Sequence, residues 1–361
     1  MKSFKFPALV SALLIVSATS VYAAGAGDAE RFRQIYEKEW EFRTGEFPAL
    51  ASYSGLEGYD DRLGRVSEQD QLRRYEYWKG IRSELEEISC QRLDREDCIN
   101  NRIYTRQIND FIADYETRSY LVPFNSDWGF YLGWIRMPSE TNFTKMDDYR
   151  NYLSKLHQIP VVMDEYIALM RKGLELGITQ PQVILEGRDV PIKAQLVDSA
   201  QDSPFWAPFA DMPETVAAGD KSELLSTAEK VIAEDVIPAF GRYYRFFNDE
   251  YKAGARTSLG ASELPHGERF YSAQIQKYAT LEMTPQEIHQ VGLEQVARIR
   301  GEMEEIIREV EFEGDFAAFL VFLRTDPQFY AKTPKELLSF ASYYAKKIDG
   351  RMPSMLSLIH I

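Results

Sequence analysis

Histidine is scarce in this chain of 361 residues: there are four, His157, His266, His289 and His360. A helical metallopeptidase centre needs two histidines four apart, so that both imidazoles face one metal, with a glutamate between them as base. Here the histidines are followed by Gln, Gly, Gln and Ile, and that motif is absent. Singly, each reads as a surface or capping imidazole rather than a ligand. The nucleophile signatures are missing as well. There is no Gly-x-Ser-x-Gly elbow, no glycine-rich phosphate cradle and no dinucleotide fingerprint. The 56 acidic residues give too many carboxylate pairs for one to be singled out. Positive charge is under-represented, with 42 Lys and Arg and a formal net charge of −14. That balance excludes broad contact with nucleic acid or an anionic membrane, because phosphate binding needs clustered cations.

What is present begins with core material: 45% hydrophobic and 13% aromatic residues, which argues against disorder. The opening "MKSFKFPALVSALLIVSATSVYAAGAGD" places Lys2 and Lys5 before an apolar run from Phe6 to Val16. Small residues then surround a cut after Ala23. This is the order of a secretory leader over residues 1–23. The run is too short to cross a bilayer, and no later run is longer, so no membrane span is expected. No cysteine directly follows it, so lipid anchoring is not indicated. The mature chain is expected to be periplasmic or extracellular, and more acidic for the loss of two lysines. Export gives meaning to Cys90 and Cys98, since two nearby thiols in an oxidising compartment pair. Two thiolates without a nearby His make an incomplete zinc site. A structural disulfide closing a helix–loop–helix hairpin is the expectation.

Helical periodicity runs through nearly the whole chain, and a mainly α body is expected. Leu72, Tyr75, Trp78, Leu85 and Ile88 fall on one helical face. Ile99, Ile103, Ile108, Phe111 and Ile112 fall on another, with Asp94 as N-cap. Two further helices are expected to be interrupted at Pro160 and capped by Gly177, and a long one to bend at Pro238. Thr284-Pro285-x-Glu287 and Thr333-Pro334-x-Glu336 each read as a cap, a first-position proline and a capping-box glutamate, and the first of these helices should end near Val310. The stretch from Phe124 through Trp128, Phe130 and Tyr131 to Trp134 lacks helical spacing. It either packs the core or lines a groove for an apolar ligand or a sugar ring. No repeat or low-complexity linker divides the chain.

The segment "GERFYSAQIQKYATLEMTPQEIHQVGLEQVARIRGEMEEI" resembles the bacterial domain of unknown function 885, and the likeness continues to Asp349. Gly267-Glu268 with Tyr271, Thr284-Pro285-x-Glu287-Ile288-His289 and Gly292-Leu293 with Glu294, Val296 and Arg298 carry it. Arg324-Thr325-Asp326-Pro327 and Thr333-Pro334-x-Glu336-Leu337-Leu338 complete it. The resemblance implies a gluzincin-like zinc metallopeptidase of mostly helical architecture, often exported and acting on short peptides. The metal centre it implies is a His-Glu-x-x-x-Gly-His helix C-terminal to the matched stretch. No catalytic or metal residue of this chain matches that centre, and Glu287 and His289 read as cap and packing. The last six residues, Leu356 to Ile361, are what CTG TCT CTT ATA CAC ATC encodes, a sequencing-library adapter. On that reading residues 24–355 are the N-terminal part of one family domain and 356–361 an adapter-derived tail. Zinc would belong to the intact relative. The competing reading is a non-catalytic exported helical binding or scaffold protein.

Overall fold

The computed structural model of the protein describes the backbone of residues 11–355 and the side chains from residue 27 onward. The side chains of the expected leader over 1–23, and the terminal hexapeptide 356–361, lie outside the described residues. The chain divides into two compact units, Met1–Glu282 and Met283–Ile361. Both are helical. Among the described residues the only β-pairing is an isolated bridge between Phe124 and Gly129.

The first unit opens with α1 (Ser11–Glu46), α2 (Pro48–Tyr53), α3 (Glu68–Glu86) and α4 (Arg95–Glu116). Ser67 and Asp70 form a capping box at the start of α3, and the Asp94 carboxylate accepts the Asp97 N–H at 2.8 Å to start α4. These caps fix where the helices begin because they satisfy N–H groups that have no partner inside the helix. α1, α3 and α4 close around Phe32, Ile35, Trp78, Ile81, Leu85, Ile88, Ile108 and Ile112. The buried faces differ from those the periodicity suggests: Leu72, Ile99 and Ile103 are exposed, and Ile81 takes their place. Between α3 and α4 a disulfide joins Cys90 to Cys98, whose Cα atoms lie 4.9 Å apart.

A larger core follows, built on α5 (Phe130–Glu140) and α6 (Met146–Leu176), with α7 (Val190–Lys193) and α8 (Ala207–Ala210) as short pieces against it. Two expectations are corrected here. Pro160 does not interrupt α6, which runs through it. Leu156, Ile159, Val162 and Met163 around that proline are buried, and their packing outweighs the lost i−4 hydrogen bond. The aromatic stretch is helical from Phe130 onward despite Gly133 and Pro138, and Phe124, Phe130 and Tyr131 pack the core rather than lining a groove. Gly177 ends α6 at φ 68°, a left-handed position that glycine adopts without strain.

Against α6 lies a broken helical run: α9 (Ala218–Val231), α10 (Ile237–Arg245) and α11 (Lys252–Gly254), joined by π-helical turns at Ile232–Val236 and Phe246–Tyr251. Pro238 sits just after the first π turn, and Val236 and Ile237 before it keep helical backbone angles, so the helical run continues through it. His157 meets Asp235 at 2.7 Å and Asp164 meets Arg242 at 3.0 Å, both pairs 78 residues apart. Arg171 meets Glu250 at 2.7 Å, now 79 apart. The second π turn, which begins after Arg242 and contains Glu250, absorbs the additional residue. α12 (Gly267–Ala279) then closes the unit. It is tied to α4 by the Lys277–Asp114 pair at 2.7 Å and by Arg269–Glu116.

The second unit holds α13 (Pro285–Glu309), α14 (Phe316–Thr325), α15 (Pro334–Asp349) and α16 (Met352–Met355). α13 starts on the expected capping box: the Thr284 hydroxyl accepts the Glu287 N–H at 3.2 Å, and the Glu287 carboxylate accepts the Thr284 N–H at 2.7 Å. Thr333 caps α15 through its hydroxyl, which accepts the Glu336 N–H at 3.1 Å, but the expected box is not closed: the Glu336 carboxylate accepts the Lys332 N–H at 2.7 Å instead. Phe312, Phe319, Phe322 and Phe329 form a small aromatic cluster, and the Arg300 guanidinium lies 3.7 Å from the Phe316 ring centroid.

Candidate functional site

Of the three histidines outside the terminal hexapeptide, His157 and His266 lie in the first unit and His289 in the second. His157 stands exposed on α6 with its Nδ1 on Asp235. His266 precedes α12 in the left-handed region, at φ 59°, and makes no side-chain cap bond. His289 is an exposed position in the first turns of α13, in the other unit. Catalytic zinc needs three protein ligands converging on one point. Among the described residues no group of three or more His, Cys, Asp or Glu is placed to hold a metal ion. The described residues therefore do not fit zinc.

Among the described residues two polar grooves stand out, both in the first unit. One, of about 290 Å³, lies between α6 and α10 and is lined by Asp164, Arg171, Arg242, Arg245 and Glu250. Its charges largely answer one another. Arg171 makes two bonds to Glu250, at 2.7 and 2.6 Å, and Arg242 two to Asp164, at 3.0 and 3.1 Å. Paired in this way, they leave little unmet demand for a ligand.

The second groove is larger, about 570 Å³, and its chemistry is incomplete. α4 supplies its floor through Asn101, Arg102, Thr105, Arg106, Asn109 and Asp110; the end of α3 adds Glu86, and the end of α12 adds Gln276 and Thr280 to Glu282. The Asn101 and Arg106 side chains each bury a nitrogen, Nδ2 and Nη2, that has no hydrogen-bond partner. Burial, and then the neighbouring Asp114, raise the Asp110 carboxyl above its ordinary range against the pull of Arg106 and Lys277. Thr280 is held at φ 58°, an uncommon conformation for a β-branched residue, as it ends α12 at the groove. The position of α12 depends on Gly267. A Cβ there would lie 2.1 Å from the Ala261 carbonyl oxygen, so the chain can enter the helix at this point only through glycine.

Sequence reasoning found none of these groove residues. Asn, Thr, Arg and Asp on an amphipathic helix look like a solvated face, and only the docking of α12 turns that face inward. It also missed Glu39, which is fully buried and accepts from Trp78 Nε1 at 3.1 Å and the Tyr104 hydroxyl at 2.9 Å, beside Arg43 at 3.1 Å. Glu39 opens onto neither groove and pins α1, α3 and α4 together.

Comparison with known proteins adds the following. The family described as bacterial protein of unknown function (DUF885) matches residues 48–360. No curated protein matches. Among solved structures, that of a predicted lipoprotein from Colwellia psychrerythraea is similar, with a TM-score of 0.74 at 20% identity over 91% of this chain. This chain covers 59% of that one, and at such identity the likeness is one of fold. No helix among the described residues is long and apolar enough to cross a membrane.

Proposed function

The chain belongs to the bacterial DUF885 family, and from that membership we propose that it is the substrate-walling, helical part of an exported zinc-dependent peptidase acting on short peptides. The observation that carries the reading is the 570 Å³ groove against α4. It is of ligand-pocket size and lined by polar and charged side chains of α3, α4 and α12, as expected of a surface that holds a small polar substrate. Zinc and the base beside it would come from a helix of the intact relative, and no described residue is assigned a catalytic or metal-binding role. The leader-like residues 1–23 support export, which N-terminal sequencing of the mature protein checks directly.

The experiment is metal analysis beside a peptide-library digest, run on this chain and on a version extended beyond residue 355. The extended protein should bind zinc stoichiometrically and cleave short peptides, and the present chain should do neither. Tight zinc binding with proteolysis by the short chain would show that the active site has been put in the wrong half. Inactivity of both favours the second reading, a non-catalytic exported binding protein, which the polar lining of the groove also suits.

A further inference from the structure

α1 is held by polar contacts at two stations. Towards its C-terminal end, buried Glu39 accepts from Trp78 and Tyr104, and Lys38 meets Glu84 of α3 at 2.9 Å. Ahead of Phe32 and Ile35, which pack into the core, the partners come instead from the loop between α3 and α4. Arg92 Nε meets Asp28 at 2.6 Å, and Arg31 pairs with Glu87. Arg92 also donates to the Glu87 carbonyl oxygen at 3.0 Å, so its one guanidinium joins the far side of the loop to α1. The loop itself is lightly built. Its 3₁₀ turn, Cys90–Arg92, closes only on neighbours, with the Arg92 N–H on the Ser89 carbonyl at 2.9 Å and the Leu93 N–H on the Cys90 carbonyl at 3.4 Å. Cys90 opens that turn and Cys98 lies in the first turn of α4, so their bond fastens the turn to a helix. Exposed ion pairs contribute little when both partners must first be ordered. The grip on α1 therefore depends on a loop that is already held, and both cysteines are half-buried, within reach of a thiol.

We propose that Cys90–Cys98 is a redox latch on the start of α1: the oxidised loop grips Asp28 and Arg31, and reduction frees those turns while Glu39 keeps the rest of the helix docked. In closing, the two thiols lose two protons and two electrons to an external disulfide, which leaves as a dithiol; in opening, a dithiol returns them. A reducing compartment keeps the thiols free, so the turns that follow the leader stay loose before export and dock after it. The latch is independent of the peptidase reading.

The test is amide hydrogen exchange, read by mass spectrometry, on chain purified from the periplasm. Amides of residues 32–35 bond to carbonyls of residues 28–31, so they report the grip. In the chain reduced with dithiothreitol, and in Cys90→Ser with Cys98→Ser, residues 29–35 should exchange at least about threefold faster, with 37–46 unchanged. Arg92→Gln should do the same with the disulfide intact, and reduction of that variant should then add less than about twofold. Gln91→Ala, exposed in the same turn, should leave exchange as it is. If the serine variant fails to fold, Arg92→Gln still decides, because it keeps the bond. Equal exchange in the oxidised and reduced chains, acceleration spread evenly along α1, or an undiminished effect of reduction in Arg92→Gln each overturns the proposal, since the bond would then be a general brace or no constraint on α1.

Discussion

The two units of the chain are both helical but solve different problems. In Met1–Glu282 the helices close on themselves: Tyr152, Phe205, Phe240, Tyr243, Phe247 and Tyr251 are fully buried, and α6 alone buries residues from Tyr149 to Gly173. In Met283–Ile361 the described buried hydrophobics are Ile307 and Phe319, and α15 buries none. Val291, Ile299 and Ile306 of α13, and Val310 at its end, are exposed. Yet the second unit has helix starts at Thr284, Asp315 and Thr333 that are capped by side chains just as those at Ser67 and Asp94 are. Where a helix begins is decided by a few local hydrogen bonds, whereas what it buries depends on partners far away in sequence.

The largest expected effect tests how closed the first unit is. Burial pushes the Tyr251 and Tyr166 phenols up to about 12, and Tyr243 well above its ordinary value. An unfolded tyrosine titrates near 10. A folded value above the unfolded one means that the neutral phenol is favoured in the native state. The stabilisation is therefore complete below about pH 10 and is lost as pH rises towards 12. Fully buried Tyr251 alone stands to lose roughly 2–3 kcal/mol over that window, so the first unit should unfold cooperatively in alkali. Tyrosinate absorbance followed with circular dichroism reads this. Titration of all tyrosines near pH 10 with the helices intact would mean that the core is open.

Next is Glu39→Ala. It leaves the Trp78 Nε1, the Tyr104 hydroxyl and Arg43 without their buried acceptor, and removing one partner of such a buried pair costs about 3–5 kcal/mol. Denaturant unfolding should show that loss, and a change under 1 kcal/mol would mean that water already reaches the site. Gly267→Ala should cost about 3 kcal/mol by forcing a Cβ into the Ala261 carbonyl. Its second signature is a loosened α12, read as faster amide exchange from Gly267 to Ala279.

How much of this was legible in advance follows the same division. Asp94, Gly177, Thr284 and Thr333 were readable because each cap is a local motif, and the family motifs from Thr284 to Leu338 likewise mark helix starts. The α character and the family were legible for that reason. Glu39 and Asn101 were not, because their meaning comes from residues on other helices; nothing in sequence separates Glu39 from the other 55 acidic residues. Pro160 and the helix at Phe130 were misjudged because local breakers were weighed without the buried contacts that override them. The boundary at Met283 carries no linker or shift in composition, so the chain did not announce two units.

The disulfide contributes less. Cys90–Cys98 closes a short loop between α3 and α4, and such a constraint on the unfolded chain is worth about 2–3 kcal/mol. Cys90→Ser with Cys98→Ser, or reductant alone, should lower the first unit's melting temperature and leave the second unit's helices unchanged. Two titratable thiols in unreduced, denatured protein purified from the periplasm would mean that the bond does not form.

The smallest effect is the most discriminating, because the same substitution should change sign between the units. Gly292 and Gly301 lie within α13, where a Cβ would meet nothing within 4 Å, in contrast to the 2.1 Å clash at Gly267. With no steric opposition, alanine gains what glycine lacks: less backbone entropy to lose on folding and better helix propensity. Each of Gly292→Ala and Gly301→Ala should therefore stabilise α13 by about 0.5–1 kcal/mol, seen as a higher melting temperature or slower amide exchange along Pro285–Glu309. If Gly292→Ala instead destabilises the protein, some surface must approach α13 closely at that point. The open face of the second unit would then be covered in solution, and its contrast with the first unit would lie in where its partner comes from rather than in whether it has one.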